Sequence, residues 1–169
     1  NVAVGLEALT ANTTGDGHVS VGRHSLRSNT TGQNNSAIGF NALKANTTGA
    51  NNTALGNEAL TANTTAGNVT AIGAGALAAN NAGGNTAVGH QALAANTTGA
   101  GNIGVGKNSL LSNTTGDYNV AVGQNALDAN TTGDRNSGFG HESLTANTTA
   151  DKNTAIGFQA LTANTTGGD

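Results

Sequence analysis

The chain has 169 residues, a formal net charge of -3 and only 9% charged residues, so it offers no basic surface of the kind that attracts nucleic acid or anionic lipid. With three Phe, one Tyr and no Trp, Met, Cys or Pro, its composition excludes a disulfide framework, thiolate metal sites and cysteine redox chemistry. Alanine supplies much of the 36% hydrophobic content, and neither a large interlocking core nor a charge-repelled coil fits that composition.

Residues 1–169 form a single array of ten 17-residue units that begin at Asn1, His18, Asn35, Asn52, Val69, Asn85, Asn102, Asn119, Asn136 and Asn153. Only the fifth unit, 69–84, is one residue short. A unit this small cannot bury an apolar face alone and must stack on its neighbours. The expected fold is therefore all-β, a β-solenoid of β-roll or β-helix type built from ten 17-residue coils. Because the units run from end to end without a divergent polar cap, a longer array is expected to contain this one. No apolar run reaches the roughly 20 residues of a membrane helix, so no membrane insertion is expected in this segment.

Numbering each unit from slot 1 to slot 17 separates fixed positions from free ones. Slots 2 to 5 read as a strand of about four residues, with large, mostly β-branched residues alternating with small ones. Slot 4 is always large and apolar, as in Val4, Ile38, Leu55, Ile72 and Val88, and is expected to fill the interior. Slot 3 is Ala, Ser or Gly, and slot 5 is Gly in all ten units. These small files are expected on the opposite strand face, where Ala54, Ala71 and Ala87 would contact another chain.

Slots 6 to 11 favour helix in composition, but the Gly before them and the corner after them leave room only for a turn or a short second strand. Slot 9 is Leu in every unit, and Leu9, Leu43, Leu60, Leu77 and Leu93 are expected to share the core with slot 4. Slots 6, 7, 10, 16 and 17 vary freely and form the outer skin.

Slot 12 is Asn in all ten units: Asn12, Asn29, Asn46, Asn63, Asn80, Asn96, Asn113, Asn130, Asn147 and Asn164. An Asn at a bend, repeated once per coil, can bond its own turn backbone and the amide of the next Asn, forming a structural ladder. The competing reading is glycosylation, since nine of the ten units carry Asn-Thr-Thr here, but inward stacking would hide the acceptor nitrogen. The threonines of slots 13 and 14 raise ice binding as an alternative function. Against it, adjacent extended residues point to opposite sides, so only one threonine file is expected to face solvent.

His18, His24, His90 and His141 fall in slots 1, 7, 6 and 6, the two that share a slot lie three coils apart, and all four read as surface residues rather than metal ligands. Asp16, Asp117, Asp134 and Asp151 share slot 16, and the last three stack in consecutive coils beside Tyr118, Arg135 and Lys152. A cation site is one reading of that stack; a solvated, partly neutralised corner is the preferred one. No catalytic constellation, metal site or cofactor-binding motif emerges, and no enzyme is expected.

The strands NSAIGFNAL from Asn35 and NTAIGFQAL from Asn153 resemble the NSVAIG-type repeats of YadA-like trimeric autotransporter heads and of bacteriophage tail fibres. The resemblance covers all ten units, although the family's usual head repeat is shorter and the Asn-Thr-Thr-Gly corner is an addition. It implies a left-handed β-roll whose strand Val or Ile fills the interior, and side-by-side assembly of three chains. It also implies a location outside the cell, on the cell surface or in a virion fibre, with host surfaces or matrix as ligands. Thin cores favour association independently, by trimerisation or by end-to-end stacking into a filament. The expected function is a structural or adhesive extracellular fibre segment.

Overall fold

In the computed structural model, which describes residues 1–167, the chain is an all-β solenoid. Ten three-residue strands, from Val2–Val4 to Thr154–Ile156, form one parallel sheet in sequence order, one strand per coil. Pairing is in register from coil to coil, so Ala37 lies beside Ala54 and Ala54 beside Ala71. The short fifth unit keeps that register: Ala71 pairs with Ala87, and the missing residue is absorbed at the corner. At the usual strand spacing the ten coils make a rod roughly 48 Å long.

Every coil turns by the same backbone device. The slot 8 amide bonds the slot 5 carbonyl and the slot 12 amide bonds the slot 9 carbonyl, as in Ala42 to Gly39 and Asn46 to Leu43, both at 3.3 Å. No helix forms between them. Slots 7 and 9 lie in the left-handed region, and the inward Leu of slot 9 takes a positive φ in all ten coils, for example 51° at Leu43. Each such residue costs on the order of 1 kcal/mol against a right-handed conformation, which burial of the leucine offsets. Slot 5 is stricter still, because Gly39 has φ 139° and a Cβ there would lie 2.3 Å from the Gly56 carbonyl oxygen of the next coil. Only glycine satisfies both demands.

The strand faces are the reverse of the expected ones. Val4, Ile38 and Leu55 are exposed and Ile72 and Val88 are half-buried, whereas Ala54, Ala71 and Ala87, expected at a chain contact, are at most 1% exposed. Slots 2 and 4 do share a face, as period two requires, but that face is the outside. The reason is interior width. At Gly104, which occupies slot 3 of the seventh coil, a Cβ would already lie 3.3 Å from Leu93 Cδ1 and 2.9 Å from Ser109 Oγ. The space between the strand and the leucine file holds a methyl group or, at Ser20, a hydroxymethyl group, and leaves no room for a branched side chain, so the β-branched residues go outward.

Inside, the core is one leucine per coil flanked by small residues. The eight slot 9 leucines from Leu26 to Leu144, Leu43, Leu60, Leu77 and Leu93 among them, are fully buried, while Leu9 in the first coil is only partly covered. Slots 3 and 8 supply the buried alanines, among them Ala37, Ala42, Ala54 and Ala59. The other half of the interior is polar. Asn29 Nδ2 donates to Asn12 Oδ1 at 2.9 Å and Asn46 Nδ2 to Asn29 Oδ1 at 2.8 Å, and the file resumes from Asn80 through Asn96, Asn113, Asn130 and Asn147 to Asn164. Each of these amides also donates to a carbonyl of its own corner, as Asn113 does to Gly116 at 3.0 Å. Except at Asn12 and Asn80, which donate only within their own corner, two amide hydrogens are thus satisfied per residue, and burial of the polar group carries little penalty.

Candidate functional site

Three features of the surface and its margins bear on function. The first is the outward face of the strands. Slot 4 places one large apolar side chain in every coil, from Val4 to Ile156, in an unbroken file along the sheet. Leu55 in the fourth coil is 44% exposed and Val122 in the eighth 36%, so the exposure is not confined to the rod ends. Slot 2 runs parallel to it with Val19, Ser36, Thr53, Thr70, Thr86 and Ile103. Leu6, Phe40 and Phe158 at slot 6 widen the apolar surface near both ends. Such a contiguous, partly exposed apolar surface is uncommon on a monomer.

The second feature is a charged and aromatic cluster on the first three coils. Glu7 accepts from Arg27 Nε at 2.9 Å, with His24 Nε2 3.5 Å away. The Arg23 guanidinium sits over the Phe40 ring, 5.8 Å from its centroid. At the other end, the rings of His141 and Phe158 stack 5.5 Å apart. These contacts tie neighbouring coils together at exposed sites and are worth a few tenths of a kcal/mol each.

The third is the Asn-Thr-Thr corner. Slot 13 hydroxyls are committed to stacking, as Thr114 Oγ1 donates to the Thr131 carbonyl at 3.0 Å. Slot 14 threonines such as Thr48 and Thr132 are exposed. Contrary to the expectation of a single outward file, both slots reach solvent, because the segment bends at each corner instead of running extended. The Asn-Thr-Thr asparagines from Asn29 to Asn147 are fully buried and bonded, so a glycosyltransferase would find their amide nitrogens enclosed in the folded rod.

Two further groups do not behave as surface decoration. His18 is 2% exposed and stands in for the slot 1 asparagine. Its Nδ1 accepts the Asn35 backbone N–H at 3.2 Å, and Asn29 Nδ2 lies 3.1 Å from its Nε2. The stacked aspartates of slot 16 are stitched to the backbone: Asp117 accepts the Ala100 amide at 2.7 Å, Asp134 the Asp117 amide at 2.8 Å and Asp151 the Asp134 amide at 2.7 Å. Each carboxylate reaches one coil back along the axis rather than converging on a common point. Among the described residues no cluster of His, Asp and Glu could hold a metal ion, and no pocket opens.

No family model, curated protein or solved structure matches this chain. Function is therefore argued from the molecule's own surface.

Sequence reasoning overlooked a second polar ladder at slot 1. The Oδ1 of Asn35 accepts the Asn52 amide at 2.9 Å, Asn52 accepts from Val69 at 3.0 Å, and Asn102 accepts from Asn119 at 2.8 Å. The Nδ2 of the same residues donates to the slot 15 carbonyl, as Asn35 does to Gly49 at 2.8 Å. The signal was legible, since slot 1 is Asn in eight of ten units.

Proposed function

We propose that this chain is a segment of an elongated structural or adhesive extracellular fibre, in which further copies of the chain line up side by side through the slot 2 and slot 4 face. The observation that carries the reading is the unbroken outward file of large apolar side chains at slot 4, one per coil. A partner that covers it must present matching contacts at one-coil spacing along the whole rod, and another copy of the chain does so by construction. Each half-exposed Val, Ile or Leu has on the order of 1 kcal/mol still to gain from full burial, so association strengthens with the number of coils. Repetition is then the source of both length and adhesion between chains. The NTAIGFQAL-type strand, similar to repeats of autotransporter heads and tail fibres, supports a cell-surface or virion setting.

Sedimentation velocity and negative-stain imaging of the intact chain test this reading. The expected result is an elongated multimer that Leu55→Glu with Val88→Glu reduces to monomers, since both side chains leave the strand away from the core. A monomeric rod at every accessible concentration would refute side-by-side assembly. The exposed slot 14 threonines favour one rival, ice binding, and a clear thermal hysteresis from the monomer would move the conclusion there. The composition of the strand face argues for protein contact, because Leu55, Ile72 and Phe139 interrupt any even file of threonine-sized groups.

A further inference from the structure

The one-residue deletion in the fifth unit has left a fault in the otherwise continuous bonding. Elsewhere a slot 12 asparagine donates to the asparagine of the preceding coil and to a carbonyl three residues on, as Asn63 does to Asn46 Oδ1 and to the Ala66 carbonyl, both at 3.0 Å. In the short corner Asn80 Nδ2 instead donates to Ala82, two residues on, at 2.8 Å. It no longer reaches the coil below, and Asn63 Oδ1 is buried without a hydrogen bond from the chain. The ladder therefore runs from Asn12 to Asn63 and again from Asn80 to Asn164, with its break between the fourth and fifth coils.

Three independent observations place further weakness at the same height. Slot 1 of the fifth coil is Val69, fully buried, which accepts nothing from the Asn85 amide above it, whereas Asn85 Oδ1 accepts the Asn102 amide at 2.8 Å one coil later. The slot 17 bonds between coils are 2.9 to 3.0 Å for Asn34, Asn51, Asn68, Tyr118, Arg135 and Lys152, but 3.4 Å for Gly84 and 3.5 Å for Gly101. Coil packing at the corner loosens as well: a Cβ at Gly49 would lie 2.3 Å from the next coil's carbonyl oxygen, whereas one at Gly83 in the short corner would meet only the Gly67 carbonyl oxygen of the preceding coil, at 3.1 Å.

We infer that the fifth coil is a built-in seam at which the rod opens first, dividing it into two cooperative blocks, coils one to four and coils six to ten. In a solenoid each coil touches only its neighbours, so stability is a sum of nearest-neighbour terms and the weakest interface sets where opening begins. Both polar ladders and the slot 17 backbone bonds lose strength within one coil of each other. The strand register and the leucine file continue through it, because Thr70 still pairs with Thr86 and Leu77 and Leu93 stay fully buried. The seam yields before the coils on either side while the rod remains one piece at rest. This inference is independent of what the outer face binds.

Hydrogen exchange read by mass spectrometry on the intact chain tests it directly. Amides of residues 80–85 are expected to exchange roughly tenfold or more faster than those of the matching corners 46–52 and 113–119, the fold-change that one unsatisfied buried acceptor and lost ladder bonds imply. A repaired chain, with one Thr inserted between Asn81 and Ala82 and with Val69→Asn, restores the five-residue corner and the slot 1 acceptor. Its exchange at this coil should fall to that of its neighbours. Equal protection of the three corners in the parent chain would overturn the seam. A fast corner unchanged by repair would overturn its assignment to the broken ladders.

Discussion

The tightest test of the interior geometry lies in a pairing between slots 3 and 8. In seven units both are Ala; the three with Ser at slot 8, namely Ser25, Ser109 and Ser143, are also the three whose slot 3 is not Ala, namely Ser20, Gly104 and Gly138. The structure supplies the cause. Ser109 Oγ donates to the Gly106 carbonyl at 3.0 Å and thereby occupies the space where a slot 3 methyl would sit, 2.9 Å from a Cβ at Gly104. Gly138 and Ser143 repeat the arrangement, with the same 2.9 Å approach. In the second coil Ser20 Oγ lies 2.6 Å from Ser25 Oγ, so a hydrogen bond replaces the clash.

Gly104→Ala should therefore destabilise the rod by about 1–2 kcal/mol through overpacking, even after the few tenths gained by restricting the unfolded chain. Ser109→Ala should cost about 1 kcal/mol through its lost hydrogen bond and the space it vacates. Together they recreate the Ala–Ala pair of the third coil, Ala37 with Ala42, and should be close to neutral. The two changes are thus non-additive by about 2 kcal/mol, well beyond the roughly 0.5 kcal/mol scatter of independent sites. Urea midpoints followed by far-ultraviolet circular dichroism, with hydrogen exchange over coils six to eight as a local readout, would measure the cycle. Additivity within that scatter would refute the reasoning that slot 3 and slot 8 compete for one methyl-sized space.

Other parts of the rod give equally direct expectations. Asn113→Ala removes donors to Asn96 Oδ1 and to the Gly116 carbonyl and deprives Asn130 of its acceptor, so a loss of about 3 kcal/mol is expected in the urea midpoint. Gly123→Ala should unfold the coils around it, since the glycine has φ 140° and a Cβ would lie 2.4 Å from the Gly140 carbonyl oxygen. Gly133→Ala should cost less, because Gly133 lacks the positive φ of Gly123 and Ala66 and Ala150 already occupy that slot, although its Cβ would lie 2.5 Å from the Ala150 carbonyl oxygen and force the neighbouring coil to shift; proteolytic resistance would separate the two variants. Burial holds the Asp128 carboxyl above its ordinary pKa, with Glu142 adding to the shift and the Ala129 amide opposing it. A raised folded-state value means the folded chain binds the proton more tightly, so stability declines as pH rises from the ordinary Asp range through the raised value. Asp128→Asn should raise the urea midpoint at pH 7 and leave it unchanged at pH 3.

The solenoid itself was legible because its signals are local and repeated. Gly at slot 5 reflects a backbone that only glycine adopts, Leu at slot 9 an inward position, and Asn at slot 12 a bend whose amide must be bonded. Each constraint acts within one coil or on the identical residue of the next, so one sequence compared with itself was sufficient. The slot 1 ladder and the pairing of slots 3 and 8 are equally open to that comparison, though less plain in it. His18 and Val69 hide the first by interrupting it, and the second is visible only when two slots are read jointly.

What periodicity could not decide was which side of the strand faces inward. Alternation groups Val4 with Val2 and Ala3 with Gly5, and the usual preference for burying β-branched residues then points Val4 inside. The answer depends on how far the strand stands from the leucine file across the coil, a distance set by the closed path of all 17 residues and the stacking of neighbouring coils. That distance admits a methyl group, or a hydroxymethyl group at Ser20, and no branched side chain, as the positions of Leu93 and Ser109 around Gly104 show. The amino-acid sequence by itself determined that the chain would stack, with leucine and asparagine at its centre. Only the tertiary structure decided that alanine would join them there and that the valines and isoleucines of slots 2 and 4, with Phe139, would line the outside, where a second chain can cover them.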